Sequence, residues 1–173
     1  MVKKMKLNIG SGIRPLPDCI NLDIEDYSHI GIGKFVRGDF DKKLPFKDDF
    51  FDEIIMECSL EHCKDIWFTI KEVHRILKPK GKVTCQVPHF RFPNAYMPLT
   101  HHYYFGYNSL DGLNNLFEVR KELQFYCNNE TTRKLTRPIS WFFNKIPRLY
   151  EMTLLCLIFP CPRIKFELIK KIR

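Results

Sequence analysis

Apolar positions in the first half of the chain fall in short runs, each closed by glycine, proline or an acidic residue. Lys4 to Ile9 builds toward an apolar strand and runs into Gly10-Ser11-Gly12, where two glycines permit tight backbone geometry near a ligand. Cys19 to Ile24 predicts a second short strand ending around Asp23. Lys34 to Arg37 predicts a third, closed by Gly38-Asp39, and Phe51 to Met56 a fourth. The period then changes. From Asp65 to Lys78, Ile66, Ile70, Val73 and Leu77 recur at i, i+4, i+7 and i+11, the stripe of an amphipathic helix stopped by Pro79-Lys80-Gly81. Lys82 to Val87 follows as a fifth strand, ended by Pro88.

Beyond Pro88 an aromatic, histidine-bearing stretch through Tyr107 shows no clear period. Asn108 or Ser109 caps a predicted short helix to Leu116, and Phe117 to Cys127 has the length and alternation of a strand. Residues 128–137 read as a polar linker. Ser140 to Phe159 reads as helix interrupted by Pro147, and Arg163 to Ile172 as a last strand with Ile164, Phe166, Leu168 and Ile172 on one face. Seven strands, with helices only from about residue 65, imply an α/β sandwich. No internal repeat or low-complexity tract is present.

Length and composition narrow the class. The 173 residues fit one domain, and 45% hydrophobic content with 15 Phe excludes a disordered chain. The net charge of +8 is concentrated at one end. Residues 1–130 carry 18 basic and 18 acidic side chains, whereas residues 131–173 carry 10 basic and 2 acidic. A uniformly basic nucleic-acid coat is therefore excluded, and the excess reads as one local surface for RNA, phospholipid headgroups or an acidic substrate. Seven scattered cysteines without a Cys-x-x-Cys pair, in a chain opening Met-Val-Lys-Lys-Met-Lys, predict a reduced, cytoplasmic protein without a zinc ribbon. The longest apolar window, near Leu149 to Phe159, is too short for a transmembrane segment.

Set in order, these pieces resemble the class I, seven-stranded, Rossmann-like S-adenosylmethionine-dependent methyltransferases. Leu7-Asn8-Ile9-Gly10-Ser11-Gly12 looks like the glycine loop after the first strand, and Asn21-Leu22-Asp23 like the acidic end of the second. Gly38-Asp39 with Leu44-Pro45-Phe46 looks like the acidic turn after the third. Phe51-Asp52-Glu53-Ile54-Ile55 and Leu60-Glu61-His62 look like the fourth strand and its exit, and Glu72 to Gly81 like the helix and turn before the fifth. The resemblance covers nearly the whole chain and implies a three-layer sheet of about seven strands in a single domain, 1–173, with donor core and lid in 1–130. It further implies S-adenosyl-L-methionine as methyl donor, held by Gly10, Ser11, Gly12, Asp23 and Ile24, with Asp39 and Phe40 at the adenine and Glu57, Cys58 and Ser59 at the methionine end. Two departures stand out. Ten residues between Gly12 and Asp23, and Asp41 to Phe50 between strands three and four, leave no room for the usual helices. The fold is expected to be trimmed there, which raises enclosure of the pocket by a partner or by a second subunit in a homodimer.

Methyl transfer to oxygen or nitrogen asks for alignment, worth about 7–11 kcal/mol, and for a base near the operating pH. His89 and His102 are the favoured candidates for that base, with Glu61, His62 and His101 behind them. If extended, His101 and His102 face opposite ways. Three imidazoles, His89, His101 and His102, with a cysteine also permit zinc, but their spacing fits no usual ligand pattern and no metal is expected. The aromatic group from Phe90 to Tyr107 reads either as an acceptor-facing lid or as core packing. A nicotinamide-dinucleotide site is excluded because Pro15 stands where a third glycine would open a helix. Three outcomes remain: transfer to a small-molecule or glycan/lipid-linked acceptor, transfer to RNA, or a catalytically silent binding module. The helix containing Trp141, Phe142, Leu149, Leu154 and Phe159 is expected mainly to cover the last strand, with an interfacial role at anionic lipid as the other reading.

Overall fold

Seven strands join into one mixed sheet in the order β3-β2-β1-β4-β5-β7-β6, seen in a computed structural model that describes residues 4–125 and 130–172. The strands are β1 (Lys6–Ile9), β2 (Ile20–Asp23), β3 (Lys34–Arg37), β4 (Phe51–Glu57), β5 (Leu77–Pro88), β6 (Phe117–Gln124) and β7 (Arg163–Lys170). The first five run parallel, and β7 is antiparallel to both β5 and β6. β7 comes from the basic end of the chain yet lies between β5 and β6, so that segment completes the sheet. Its alternation holds: Ile164, Phe166 and Leu168 are buried, while Ile172 falls past the strand and is exposed.

The expected trimming is present, and polar clamps replace the missing helices. Residues 10–19, which join β1 to β2, form no helix. Asn21 holds that loop: its Oδ1 accepts from the Leu16 N–H at 2.8 Å and from Asn8 Nδ2 at 3.0 Å, while its Nδ2 donates to the Leu16 and Ile32 carbonyls. All four hydrogen-bonding positions of a buried amide are thereby used. The loop between β3 and β4 is held by Arg75, which donates to the Leu44 and Phe46 carbonyls, to Asp48 and to Glu72, while Glu72 accepts from the Leu44 N–H. The Arg75 guanidinium keeps the Glu72 carboxyl below the usual carboxylate range.

Helix α1 (Ile66–Ile76) begins at Asp65, whose carboxylate accepts from the Trp67 and Phe68 N–H groups at 3.0 Å. It buries Ile70, Val73 and Ile76. It ends two residues before the expected Lys78. Leu77 turns extended and starts β5 early, and the break predicted at Pro79-Lys80-Gly81 appears as a positive φ of 63° at Lys80 with a register shift against β4. The predicted helix to Leu116 is only a 3-10 turn at Asp111–Leu113.

The C-terminal expectations need more correction. Residues 130–137, read as linker, belong to helix α2 (Glu130–Phe143), with Pro138 inside it; Tyr126 to Asn129, with the end of the expected sixth strand, lie outside the described residues. The single helix to Phe159 is broken into the end of α2, α3 (Pro147–Met152) and α4 (Leu155–Ile158), because Pro147 can start a helix but not continue one. Asn144 ties α2 to β6 by exchanging hydrogen bonds with the Leu123 backbone. Phe143 packs on Phe125 and Tyr150.

Candidate functional site

The strand order reverses between β1 and β4, where an open α/β sheet leaves a crevice at its carboxyl edge. Gly10 stands at that edge with φ 68°, and a Cβ there would meet the Ser59 Cβ at 2.5 Å. Only glycine lets the β1 and β4 exits approach this closely. The Gly10 and Ser11 N–H groups both donate to the Leu22 carbonyl, at 2.9 and 3.1 Å, so the loop is fastened to β2. Gly12, φ 48°, faces open space. Ser11 and Ser59 are buried, and neither hydroxyl has a partner among the described residues. Unpaired buried hydroxyls are costly and point to groups that a ligand completes. A cleft of ≈ 90 Å³ opens here between Gly10, Ser11, Arg14, Glu57, Cys58 and Arg163.

At the end of β2, Asp23 accepts from the Gly12 N–H at 2.8 Å and from the Glu25 N–H at 3.1 Å. Each of its oxygens keeps further acceptor capacity, and Ile24 beside it is exposed. Asp39, after β3, accepts from the Asp41 N–H and faces Lys42 at 3.3 Å, while Phe40 is half-buried against the core. At the β4 exit, Glu57 lies 3.7 Å from Arg163. Cys58 has φ 52°, and burial pushes its thiol up to about 11, so it stays protonated at neutral pH. The ten residues expected from the sequence therefore fall along one edge. Arg14 and Arg163 line the same cleft without a local signal in the sequence; Arg163 starts β7, and the antiparallel return of that strand brings it to 3.7 Å from Glu57 at the end of β4.

The histidines sort differently from the sequence expectation. His89 is fully buried, its Nε2 donating to Glu151 at 3.0 Å and its Nδ1 accepting from the Arg91 N–H at 3.1 Å. Glu151 also accepts from the Tyr107 N–H. Both nitrogens are thus hydrogen-bonded within the fold, and the ring has no exposure. His102 is exposed and His101 inward, as an extended segment requires, and the N–H of His102 donates to the Glu61 carbonyl at 2.8 Å. Glu61 is buried, and burial pushes its carboxyl up to about 7. His62 stands edge-on to His101 with ring centroids 4.6 Å apart.

Two further surfaces lie outside the crevice. An apolar pocket of ≈ 280 Å³ is formed by Ile66, Trp67, Tyr103, Tyr104, Leu110 and Leu113, between α1 and the segment after β5. The helices α2–α4 leave Leu135 (78%), Trp141 (66%), Met152 (84%) and Leu154 (71%) exposed, beside Arg137, Lys145 and Arg148. The expectation that this region mainly covers the last strand is thus only partly met: Phe143, Tyr150 and Cys156 are buried, whereas those four apolar side chains face outward.

Comparison with known proteins agrees with the topology. Residues 16–85 match the methyltransferase domain family. Demethylmenaquinone methyltransferase of Staphylococcus aureus is 40% identical over 52 residues, 30% of this chain, and the chain spans 21% of the length of the curated relatives it matches. A methyltransferase structure described as SAM-dependent, from Archaeoglobus fulgidus, superposes over 96% of this chain and 86% of its own, with TM-score 0.69 and 17% identity. A Haloferax volcanii complex between the Trm112 methyltransferase activator and a methyltransferase contains a similar chain, covering 98% of this one and 84% of its own, with TM-score 0.65 and 16% identity. No helix among the described residues is long and apolar enough to cross a membrane. The strand order and these superpositions show that the chain has the seven-stranded, Rossmann-like fold that solved S-adenosylmethionine-dependent methyltransferases share, and its residues 16–85 are similar to the methyltransferase domain family.

Proposed function

We propose that the chain transfers the methyl group of S-adenosylmethionine to a lipid-linked or apolar small-molecule acceptor. The observation that carries the donor half is the convergence, at the sheet's reversal, of the Gly10–Gly12 loop with the Asp23 carboxylate. Asp23 is suited to two ribose hydroxyls, and a charged acceptor makes the stronger hydrogen bonds. Arg14, Arg163 and Glu57, which line the same cleft, carry charges suited to the carboxylate and ammonium of an amino acid. The hydroxyls of Ser11 and Ser59 would gain partners from the same end of the ligand. Asp39 and Phe40 stand where the adenine would follow. The donor supplies an activated methyl on sulfur; the chain's residues bind it, align it and exclude water.

Calorimetry with S-adenosylmethionine tests this reading. Stoichiometric heat is expected, with Asp23→Ala weakening binding about 10- to 100-fold, as loss of one or two charge-assisted hydrogen bonds implies. No heat at high protein concentration, or unchanged affinity in Asp23→Ala, overturns it.

The acceptor half draws on the exposed apolar face of α2–α4 beside a basic segment, which suits an anionic lipid surface. A relative named for demethylmenaquinone is consistent with a small-molecule acceptor. Vesicles containing phosphatidylglycerol are expected to sediment the chain and to blue-shift Trp141 fluorescence, where neutral vesicles do not. Equal retention on RNA, lost steeply with salt, would favour the RNA reading instead.

A further inference from the structure

Glu61 is 1% exposed, and neither carboxylate oxygen has a hydrogen-bond partner among the described residues. A carboxyl in that state is expensive, whether charged or neutral, unless something completes it. Two imidazoles face it. His101 Nε2 lies 4.0 Å from Glu61 Oε1, and one ligand atom each from Glu61, His62 and His101 lies within 4.8 Å of the others.

Both rings are oriented from behind. His101 Nδ1 lies 2.9 Å from the Ala95 carbonyl, and His62 Nδ1 lies 3.2 Å from the Thr100 carbonyl. A carbonyl accepts only from N–H, so in each ring Nδ1 carries the proton and Nε2 keeps the lone pair. Metal-binding histidines are commonly fixed in this way, with the second nitrogen donating to a backbone carbonyl. The two chain segments are also fastened together. The turn Leu60–His62 follows β4, and the Glu61 carbonyl accepts from the N–H groups of His102 and Tyr103, which brings residues 100–103 alongside.

We propose that Glu61, His62 and His101 bind one divalent transition-metal ion of the zinc class, leaving at least one coordination position open. Ligands about 2.1 Å from a tetrahedral ion sit about 3.4 Å apart, so side chains now 4.0 Å apart in one pair and within 4.8 Å in the others must draw together on binding. Two imidazoles and one carboxylate favour zinc, cobalt or iron(II) over magnesium or calcium, which prefer oxygen ligands. Three protein ligands leave room for an exogenous oxygen or nitrogen, whose proton the ion would make easier to remove. The site has the donor crevice at Cys58 and Ser59 on one side in the chain and Tyr103 of the apolar pocket on the other. Ion binding stands independently of the transfer reading; only its use in activating an acceptor rests on it.

The test uses the whole chain, stripped with a chelator and titrated with Co²⁺ as a visible probe. One equivalent is expected to bind with ligand-field absorption, displaced by Zn²⁺. Glu61→Gln and His101→Ala should each weaken uptake by about 100-fold or more, beyond what loss of an outer-shell contact does. His29→Ala, on an exposed turn distant in sequence, should bind as wild type. Far-UV circular dichroism checks that each variant is folded. Should either variant fail to fold, ring proton shifts of His62 and His101 in wild type on Zn²⁺ addition give the same answer. The proposal is overturned if wild type takes up no stoichiometric ion, if folded Glu61→Gln and His101→Ala bind as wild type, or if Zn²⁺ leaves those two rings unmoved. Ion uptake without donor heat would overturn the transfer reading alone, and donor heat without ion uptake would overturn the ion site alone.

Discussion

Among the described residues, two histidine–glutamate pairs are built to different standards. In the pair His89–Glu151, every polar atom of the imidazole is used, and the carboxylate collects both the ring and the Tyr107 N–H. In the pair His101–Glu61, the carboxylate is buried without a hydrogen bond, and the imidazole stops 4.0 Å short. A closed network stabilises the fold by itself, whereas one left incomplete raises the free energy of the fold until a ligand arrives. The chemistry of the residues is shared; what separates structure from candidate function is whether the partners are supplied by the chain.

The largest effect expected from this contrast is on the closed pair. Truncating His89→Ala strips Glu151 of a charge-assisted hydrogen bond and leaves a cavity in the core, at a cost of about 3 kcal/mol read from the urea midpoint. Donor affinity should fall much less than stability. A His89→Ala protein as stable as wild type would show that the pair is not a structural unit.

Next comes the ion. Wild-type chain at an ion concentration 100 times the dissociation constant should gain about 2.7 kcal/mol of stability by mass action, and Glu61→Leu should gain nothing. The same Glu61→Leu change in chelator-treated protein should raise stability by about 1–3 kcal/mol, since it removes an unsatisfied buried carboxyl. Leucine at Glu151 should do the opposite. Matching signs in the two variants, measured by thermal unfolding, would erase the distinction between the pairs.

Why the two pairs could not be told apart beforehand is physical. The strands and α1 are written in local periods, and the glycine loop, Asp23 and Asp39 sit at strand ends that those periods mark. The crossover trimming is a matter of counting residues. Partners of the histidines are set by distant segments: Glu151 reaches His89 from 62 residues away, and His101 reaches Glu61 from 40 residues away across an aperiodic stretch. Spacing along the chain shows neither set of partners. The C-terminal helices depart from the sequence expectation for a related reason. Their apolar residues suit either a buried face or an exposed one, and only the assembled fold shows that Phe143 and Tyr150 are buried while Trp141 and Leu154 face outward.

The smallest effect tests the comparison at neighbouring positions. His102 follows His101 directly, shares its residue type and was the other candidate base, but its side chain is exposed and its fastening to Glu61 is through the backbone N–H, which any residue except proline supplies. His102→Ala should therefore change stability by no more than about 0.5 kcal/mol, the usual range for a surface substitution. It should also leave Co²⁺ uptake intact, whereas His101→Ala weakens it by about 100-fold or more. If transfer to an acceptor is measured, a loss of turnover in His102→Ala with stability and ion uptake unchanged would assign His102 to proton removal at the open side of the site. Unchanged turnover would leave Glu61 and its two imidazoles as the groups that act there.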